Sequence, residues 1–387
     1  MRSLFMRNAS VSRVIILLTI VTLGLFAFSL YQYDQKPILN KTIGIYIPSA
    51  SSESLYKSLE DAGATLNIWD RLIFYCIELP TEGWYKIDAT KTSRISLLKN
   101  LHKERDKTIN IVIFAGDTAA EMLHRLSNDM KLNLSELQKN YRLYARFEEG
   151  NFLAGRYTLG RLADAQTAIK YLLDQSYKEL DFFARDRFGL SFTREELYNT
   201  IIIASIIQKE SNDIEEMSYI SSVIRNRLKK KMRLQMDGTL NYGKYAHTIV
   251  TSQRIKNDTS RYNTYKHKGL PPAPLSIVSM DALEAVTFPR ESDYLFFMLN
   301  KTGKHDFAST YKEHLQNVRT FKIYCKERNA KREAEKKASL SQKRSKMKKE
   351  VTKTIETNST VESPEEKKQR IKTHMTLEIH DKNSSSK

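Results

Sequence analysis

Between residues 14 and 30 the chain reads VIILLTIVTLGLFAFSL, with no charged residue and no polar face. An apolar run of this length sits at the short end of the ~17 to 25 residues that cross a bilayer as a helix, so 14–32 is expected to be a transmembrane helix. Arg2, Arg7 and Arg13 precede the run and no comparable cluster follows immediately. The positive-inside rule then puts 1–13 in the cytoplasm and the body outside, anchored to the cell (inner) membrane by a single pass. A cleaved secretory signal competes, since Ala27-Phe28-Ser29 imitates a small-x-small cleavage site. The run exceeds the ~7 to 15 residues of a signal core and bulky Phe and Leu crowd the site, which favours anchoring. Either way the body reaches the same compartment.

Past the apolar run the period changes. Residues 43–47, 72–79 and 109–114 are β-rich and predict strands, while Ser54-Leu55-Tyr56-Lys57-Ser58-Leu59 and the segment after Thr118, with Met122, Leu123 and Leu126, have helical spacing. Glu82-Gly83-Trp84-Tyr85-Lys86-Ile87 predicts a turn leading into a short strand, and 92–101 a helix with Ile95, Leu98 and Leu101 inside, beginning at Thr92. Together, 41–145 is expected to be a small α+β domain. Residues 146–324 differ, with long helices first, over 164–187 and from a capping box at Thr193-Arg194-Glu195-Glu196, then Gly- and Pro-punctuated loops, then short strands and helices. This is the expected mixed α+β catalytic domain.

The net charge is +18, from 63 Lys and Arg against 45 Asp and Glu. The densest basic runs lie in 325–387, among Glu, Ser and Thr with few large apolar residues, so they are read as a disordered basic tail rather than a nucleic-acid surface. A polybasic contact with anionic lipid or wall polymer is the minority reading of that tail. The two cysteines, Cys76 and Cys325, have neither metal-ligand nor redox spacing, and no disulfide is expected. His247, His267, His305 and His314 are too scattered for a zinc site, and Gly155 and Gly160 lack the strand-loop-helix context of a phosphate loop. No metal and no cofactor are expected.

The helix opened by Thr193 runs through Leu197, Ile201, Ile203, Ile206 and Ile207, and Glu210 falls on the same stripe as Ile203, Ile206 and Ile207. A carboxylate on a buried face is disfavoured in its ionised form, which suits a general acid. A Glu at a helix end can equally reach solvent or a salt bridge. Lys209 is expected to turn away from the stripe. Asp213, Glu215 and Glu216 are expected as a solvated opening to the next helix, with Met217, Ile220, Ile224 and Leu228 inside. Downstream, Arg233-Leu234-Gln235-Met236-Asp237-Gly238-Thr239, Tyr262-Asn263-Thr264-Tyr265 and Gly269-Leu270-Pro271-Pro272-Ala273-Pro274 place amides, hydroxyls and tyrosines on stiff loops, the chemistry of a sugar groove. Ordinary turn chemistry explains any one of these loops alone.

Ala204-Ser205-Ile206-Ile207-Gln208-Lys209-Glu210-Ser211, followed by Asn226-Arg227-Leu228 and Met232-Arg233-Leu234-Gln235, resembles the MltG (YceG-like) family of endolytic murein transglycosylases. Tyr262-Asn263-Thr264-Tyr265, His267, Gly269-Leu270-Pro271-Pro272, Asp293-Tyr294-Leu295-Phe296-Phe297, Gly303-Lys304-His305-Asp306-Phe307 and Glu313-His314 extend the likeness in order, from about residue 43 to 321. The resemblance implies a membrane anchor, a LysM-like domain over 41–145 and a catalytic domain over 146–324 acting on peptidoglycan glycan strands, near peptidoglycan synthases or division proteins. It implies Glu210 as the catalytic residue, with Gln235, Asp237, Asn263 and Tyr265 positioning the sugar. The chain departs from the family with Asp237-Gly238-Thr239 for Asp-Pro-Thr and Ser260-Arg261-Tyr262-Asn263 for Ser-Pro-Tyr-Asn, and matches Glu-Gly-x-Leu-x-Pro-Asp-x-Tyr only in outline at Glu149 to Tyr157.

Hydrolysis of a glycosidic bond ordinarily takes two carboxylates, and one candidate dominates here. A lytic transglycosylase needs only one, because the C6 hydroxyl of N-acetylmuramic acid acts as nucleophile and leaves a 1,6-anhydro end. Two alternatives stand beside it. One is a muramidase with Asp237 or Glu149 as second carboxylate; the other is a wall-binding scaffold without catalysis.

Overall fold

The computed structural model describes residues 2–88 and 93–357, with 365, 368–369 and 371–373 beyond them. It opens with helix α1 (Arg2–Asp34), in which Val14–Asp34 is long and apolar enough to cross a membrane, its most apolar stretch exposed and only Tyr33 near its end buried. This is the apolar helix expected from the sequence, extended to Asp34.

The first small core forms on β1 (Ile43–Ile47), α2 (Ser52–Asp61), α3 (Ile68–Phe74), β2 (Gly83–Ile87) and α4 (Arg94–Asn100). The strands β1 and β2 are antiparallel, with Ile43 opposite Ile87 and Ile45 opposite Tyr85. Ile43, Ile45 and Ile47 point to one face, as the period of two requires, and bury against Leu55, Leu59, Phe74 and Leu98. The strand expected over 72–79 is not there. Asn67 caps a helix instead, accepting from the Trp69 N–H while the Asp70 carboxylate accepts from the Asn67 N–H, and the chain turns after Phe74. Asp70 is fully buried, and its remaining capacity is filled by Arg94 Nε at 2.9 Å, Arg94 Nη2 at 2.7 Å and the Tyr33 hydroxyl at 2.7 Å. The helix expected from Thr92 begins at Arg94, with Leu97 and Leu98 buried and Ile95 half-buried; Thr92 itself lies outside the described residues.

β3 (Thr108–Ile113) pairs antiparallel with β4 (Gly155–Gly160), and between them lie α5 (Ala119–Met130) and α6 (Leu134–Tyr144). This ladder crosses the boundary expected at 145/146. The chain forms two compact units, Met1–Leu295 and Phe296–Lys387. The first unit continues with α7 (Ala165–Phe188), α8 (Arg194–Glu210), α9 (Ile214–Lys229), α10 (Ser252–Asn257) and α11 (Met280–Thr287). Helix α8 packs against α9 and α11, and Ile201, Ala204, Ile206 and Ile207 are fully enclosed.

In the second unit β5 (Phe296–Leu299) and β6 (His305–Ala308) form a hairpin followed by α12 (Tyr311–Thr357). Residues 325–357, expected to be disordered, continue that helix. The segment is rich in Ala, Lys, Glu and Arg, lacks Gly and Pro, and spaces Glu327 from Lys331 and Glu333 from Lys337 by four residues, so local propensity suffices without a core. Residues 358–364, 366–367, 370 and 374–387 of the expected tail lie outside the described residues.

Arg94→Ala leaves the Asp70 carboxylate buried without its cation and should cost ~3–5 kcal/mol, read as a lower Tm in detergent micelles. Arg94→Met with Asp70→Leu should recover part of that loss. An unchanged Tm in the single variant would contradict the buried pairing.

Candidate active site

Helix α8 starts on the predicted box: Thr193 Oγ1 accepts from the Glu196 N–H at 3.1 Å, and the Glu196 carboxylate accepts from the Thr193 N–H at 2.7 Å. It ends at Ser211, whose extended backbone (φ −151°) stops the helical turn and leaves Glu210 half-buried as the last residue. Lys209, expected to turn away from the Glu210 stripe, reaches another part of the protein rather than solvent. It is half-buried, its Nζ donates to the Gly116 carbonyl at 2.6 Å, and burial lowers its pKa against the opposing charges of Glu121, Asp117 and Glu149. Asp213 caps α9 as expected, but Glu216 is not solvated; it is buried and accepts from the Ser211 hydroxyl at 2.9 Å. Leu228 is only half-buried, and Arg227 takes the enclosed position beside it.

Three loops close on the end of α8. In the first, the Gly238 N–H donates to Glu210 Oε1 at 3.0 Å. A Cβ at Gly238 would lie 2.8 Å from Lys209 Cβ and 2.9 Å from Glu210 Oε1, so only glycine permits this approach without displacement. The family's proline at this position would have no N–H to offer Glu210. The second loop is joined to the first: the Gln235 N–H donates to the Thr264 carbonyl at 3.2 Å, the Met236 N–H to Thr264 Oγ1 at 3.3 Å, and the buried Thr239 and Thr264 hydroxyls share a hydrogen bond at 2.9 Å. The third, proline-rich loop is fixed to α8 by polar residues on its inner face. Ser205 Oγ accepts from the Leu275 N–H at 2.9 Å, and Gln208 Oε1 accepts from the Ser279 hydroxyl at 2.8 Å.

Of the residues expected around the sugar, Asp237 and Tyr265 are brought together, the Tyr265 hydroxyl donating to Asp237 Oδ1 at 2.7 Å. Burial, the Asp237 hydrogen bond and the charges of Asp237 and Glu210 raise the Tyr265 pKa, which keeps the phenol protonated as a donor. Gln235 is exposed at a left-handed backbone position (φ 48°), with its side chain on the open side of the loop. Asn263 is different: it is fully buried, its amide donates to the Ile255 and Asp258 carbonyls at 2.8 Å each, and its Oδ1 accepts from the Tyr265 N–H. It holds the loop that presents Tyr265 and offers no surface to a ligand.

Arg227 is the main feature that the sequence pattern does not single out. It is buried, donates from Nε to the Leu295 carbonyl at 2.6 Å and from Nη1 to the Leu234 carbonyl, and burial lowers its pKa against the opposing influence of Tyr265 and Glu210; a guanidinium stays charged even so. Its position on the inner face of α9 beside Ile224 was the available signal. Glu149 is also changed by its surroundings: burial pushes its carboxyl up to about 7, although the Ala119 and Gly150 N–H groups favour the charged form. Asp117, Glu121 and His247 bring ligand atoms within 4.8 Å of one another, but Asp117 is paired with Arg125 at 2.5 Å and Glu121 caps α5 through Thr118. The set is an ion-pair and capping cluster.

The YceG-like family model matches residues 45–320. The chain belongs to that family. It is 31% identical over 152 residues to the endolytic murein transglycosylase of Bacillus subtilis strain 168, covering 39% of this chain and 42% of that protein. It is 31% identical over 176 residues to the endolytic murein transglycosylase of Streptococcus pneumoniae R6, covering 44% of this chain and 31% of that protein. The chain thus spans less than half the length of either relative. A crystal structure of a yceG-like protein from Listeria monocytogenes is 26% identical, with a TM-score of 0.46 over 71% of this chain and 99% of that one.

A carboxyl raised in the folded state binds its proton more readily than when unfolded, so stability is full below the unfolded value of ~4.5 and falls as pH rises toward 7. Glu149→Gln should remove a loss of ~2–3 kcal/mol between those limits. Its melting temperature should therefore exceed that of the parent at pH 7 and approach it near pH 4.5. A pH-independent difference would contradict the raised carboxyl.

Proposed function

We propose that this member of the YceG-like family is an endolytic peptidoglycan lytic transglycosylase, cleaving the bond between N-acetylmuramic acid and N-acetylglucosamine. The observation that carries the reading is Glu210, held half-buried at the end of α8 by the Gly238 N–H and surrounded by Arg227, Tyr265 and Asp237. The names of the two relatives supply the substrate class.

Glu210 protonates the glycosidic oxygen as its bond to C1 breaks, and the leaving sugar departs with that proton. The C6 hydroxyl of the same muramic acid then closes on C1 and gives its proton to the Glu210 carboxylate, restoring the acid. One carboxyl group serves both steps, and no water is consumed. Tyr265 and Asp237, paired across the two loops beside Glu210, orient hydroxyls or the N-acetyl group, with Gln235 on the open side; Asn263 acts by holding Tyr265 in place. Arg227 counterbalances the charge that forms on Glu210 when its proton is given up.

In this reading α1 anchors the chain with its N-terminus in the cytoplasm and the body against the wall, where peptidoglycan synthases or division proteins work. The β1-α2-α3-β2 body corresponds to the LysM-like domain expected over 41–145. A muramidase using Asp237 or Glu149 and a binding-only scaffold are separated from this reading by the product. Full-length protein incubated with peptidoglycan should release strands with 1,6-anhydro ends, identified by mass spectrometry, and Glu210→Gln should lose at least ~100-fold in rate while retaining its fold and glycan binding. Ordinary reducing ends would replace the reading with hydrolysis, and binding without release would favour the scaffold.

A further inference from the structure

Helix α3 has two opposed faces. One carries Asp70, Phe74 and half-buried Ile73 into the core; the other exposes Ile68 (67%), Leu72 (51%) and Tyr75 (80%) at the i, i+4, i+7 spacing of one helical stripe. An apolar stripe that turns to water without a partner costs solubility, and here it adjoins a helix with its own reason to be surrounded by lipid.

Two contacts fix α3 against α1. The Tyr33 hydroxyl donates to Asp70, and the Trp69 ring meets the Phe26 ring edge-on with centroids 5.2 Å apart. Phe26 lies well inside the apolar segment Val14–Asp34, seven residues before Tyr33, or ~10 Å along the helix axis. The first turn of α3 therefore lies level with the last two turns of the apolar segment. If that segment spans the bilayer, α3 cannot stand clear of it.

We propose that α3 lies in the headgroup region of the leaflet from which the body emerges, with Ile68, Leu72 and Tyr75 facing lipid. The inference rests on the reading of α1 as a membrane span. Trp and Tyr favour that zone because one end of each ring system is apolar and the other can hydrogen-bond, and Ile68 and Leu72 supply the apolar insertion. Arg71, exposed and lying over the Tyr56 ring, is placed to meet lipid phosphates. The buried Asp70–Arg94–Tyr33 set then has a second consequence: it joins α1 to the β1–β2 body without a flexible linker, so α3 and α1 together set the tilt of that body on the membrane.

The chain has two tryptophans, and Trp84 is buried in the body. Subtracting the emission of Trp69→Phe from that of the parent isolates Trp69 in full-length protein reconstituted into phosphatidylethanolamine/phosphatidylglycerol vesicles. Lipid brominated near the glycerol end of its chains should remove most of the Trp69 emission, while aqueous iodide leaves it nearly unchanged. Quenching by iodide and not by bromolipid overturns the proposal, and so does protection from both, which would mean that a protein surface or a second copy covers the stripe. Leu18→Trp in the Trp69→Phe background tests the underlying span separately, by quenching from lipid brominated near the chain ends. If that residue is quenched and Trp69 is not, only the seating of α3 fails; if neither is quenched, the span fails and takes the proposal with it.

Discussion

The candidate site depends on one arrangement: the polar residues at the end of α8 hold two of the loops that surround them, and the third is fastened to the first of these. Ser205 and Gln208 fasten the proline-rich loop, and Glu210 receives the Gly238 N–H of the loop after α9. A buried helix with hydroxyl and amide groups on its inner face must find partners for them. Here those partners are loop backbones, so satisfying the core and shaping the site are the same set of hydrogen bonds.

That arrangement gives the chemistry its asymmetry. Glu210 accepts from the Gly238 N–H and interacts with the enclosed charge of Arg227, and in the proposed mechanism these surroundings accommodate a negative carboxylate once the proton has been given up. Tyr265 is kept protonated beside Asp237 and remains a donor. The replacement of the family's proline by Gly238 is significant in this light, since it supplies the N–H that Glu210 accepts and removes the side chain that would collide with it. In three dimensions this departure places a backbone donor on the Glu210 carboxylate.

A second buried polar set does comparable work at the other end of the unit. Asp70, Arg94 and Tyr33 join an apolar helix to a small core through hydrogen bonds that no solvent reaches. Such a set adds directional specificity more than stability, fixing which face of α3 turns inward.

The sequence alone determined the features with strong local signals. The apolar helix, the strands 43–47 and 109–114, the helix after Thr118, the capping box at Thr193 and the placement of Glu210 at the end of an apolar stripe all follow from periodicity and caps, which act over a few residues. It failed where distant residues decide. The segment 72–79 has the β-rich composition of a strand, yet the Asn67 cap and the burial of Asp70 by Arg94 make 68–74 a helix. Residues 325–357 are a separate, local case, a helix carried by propensity alone that the charged composition led to be read as disorder; in the others distant partners decide. Asn263 has the composition of a sugar ligand but spends its amide on the loop backbone, and Arg227, whose spacing from Ile224 puts it on the inner face of α9, becomes an enclosed charge only through the carbonyls it meets. Only the tertiary structure could separate these cases, since burial and hydrogen-bond partners are set by which segments meet, and those segments lie tens of residues apart in the chain.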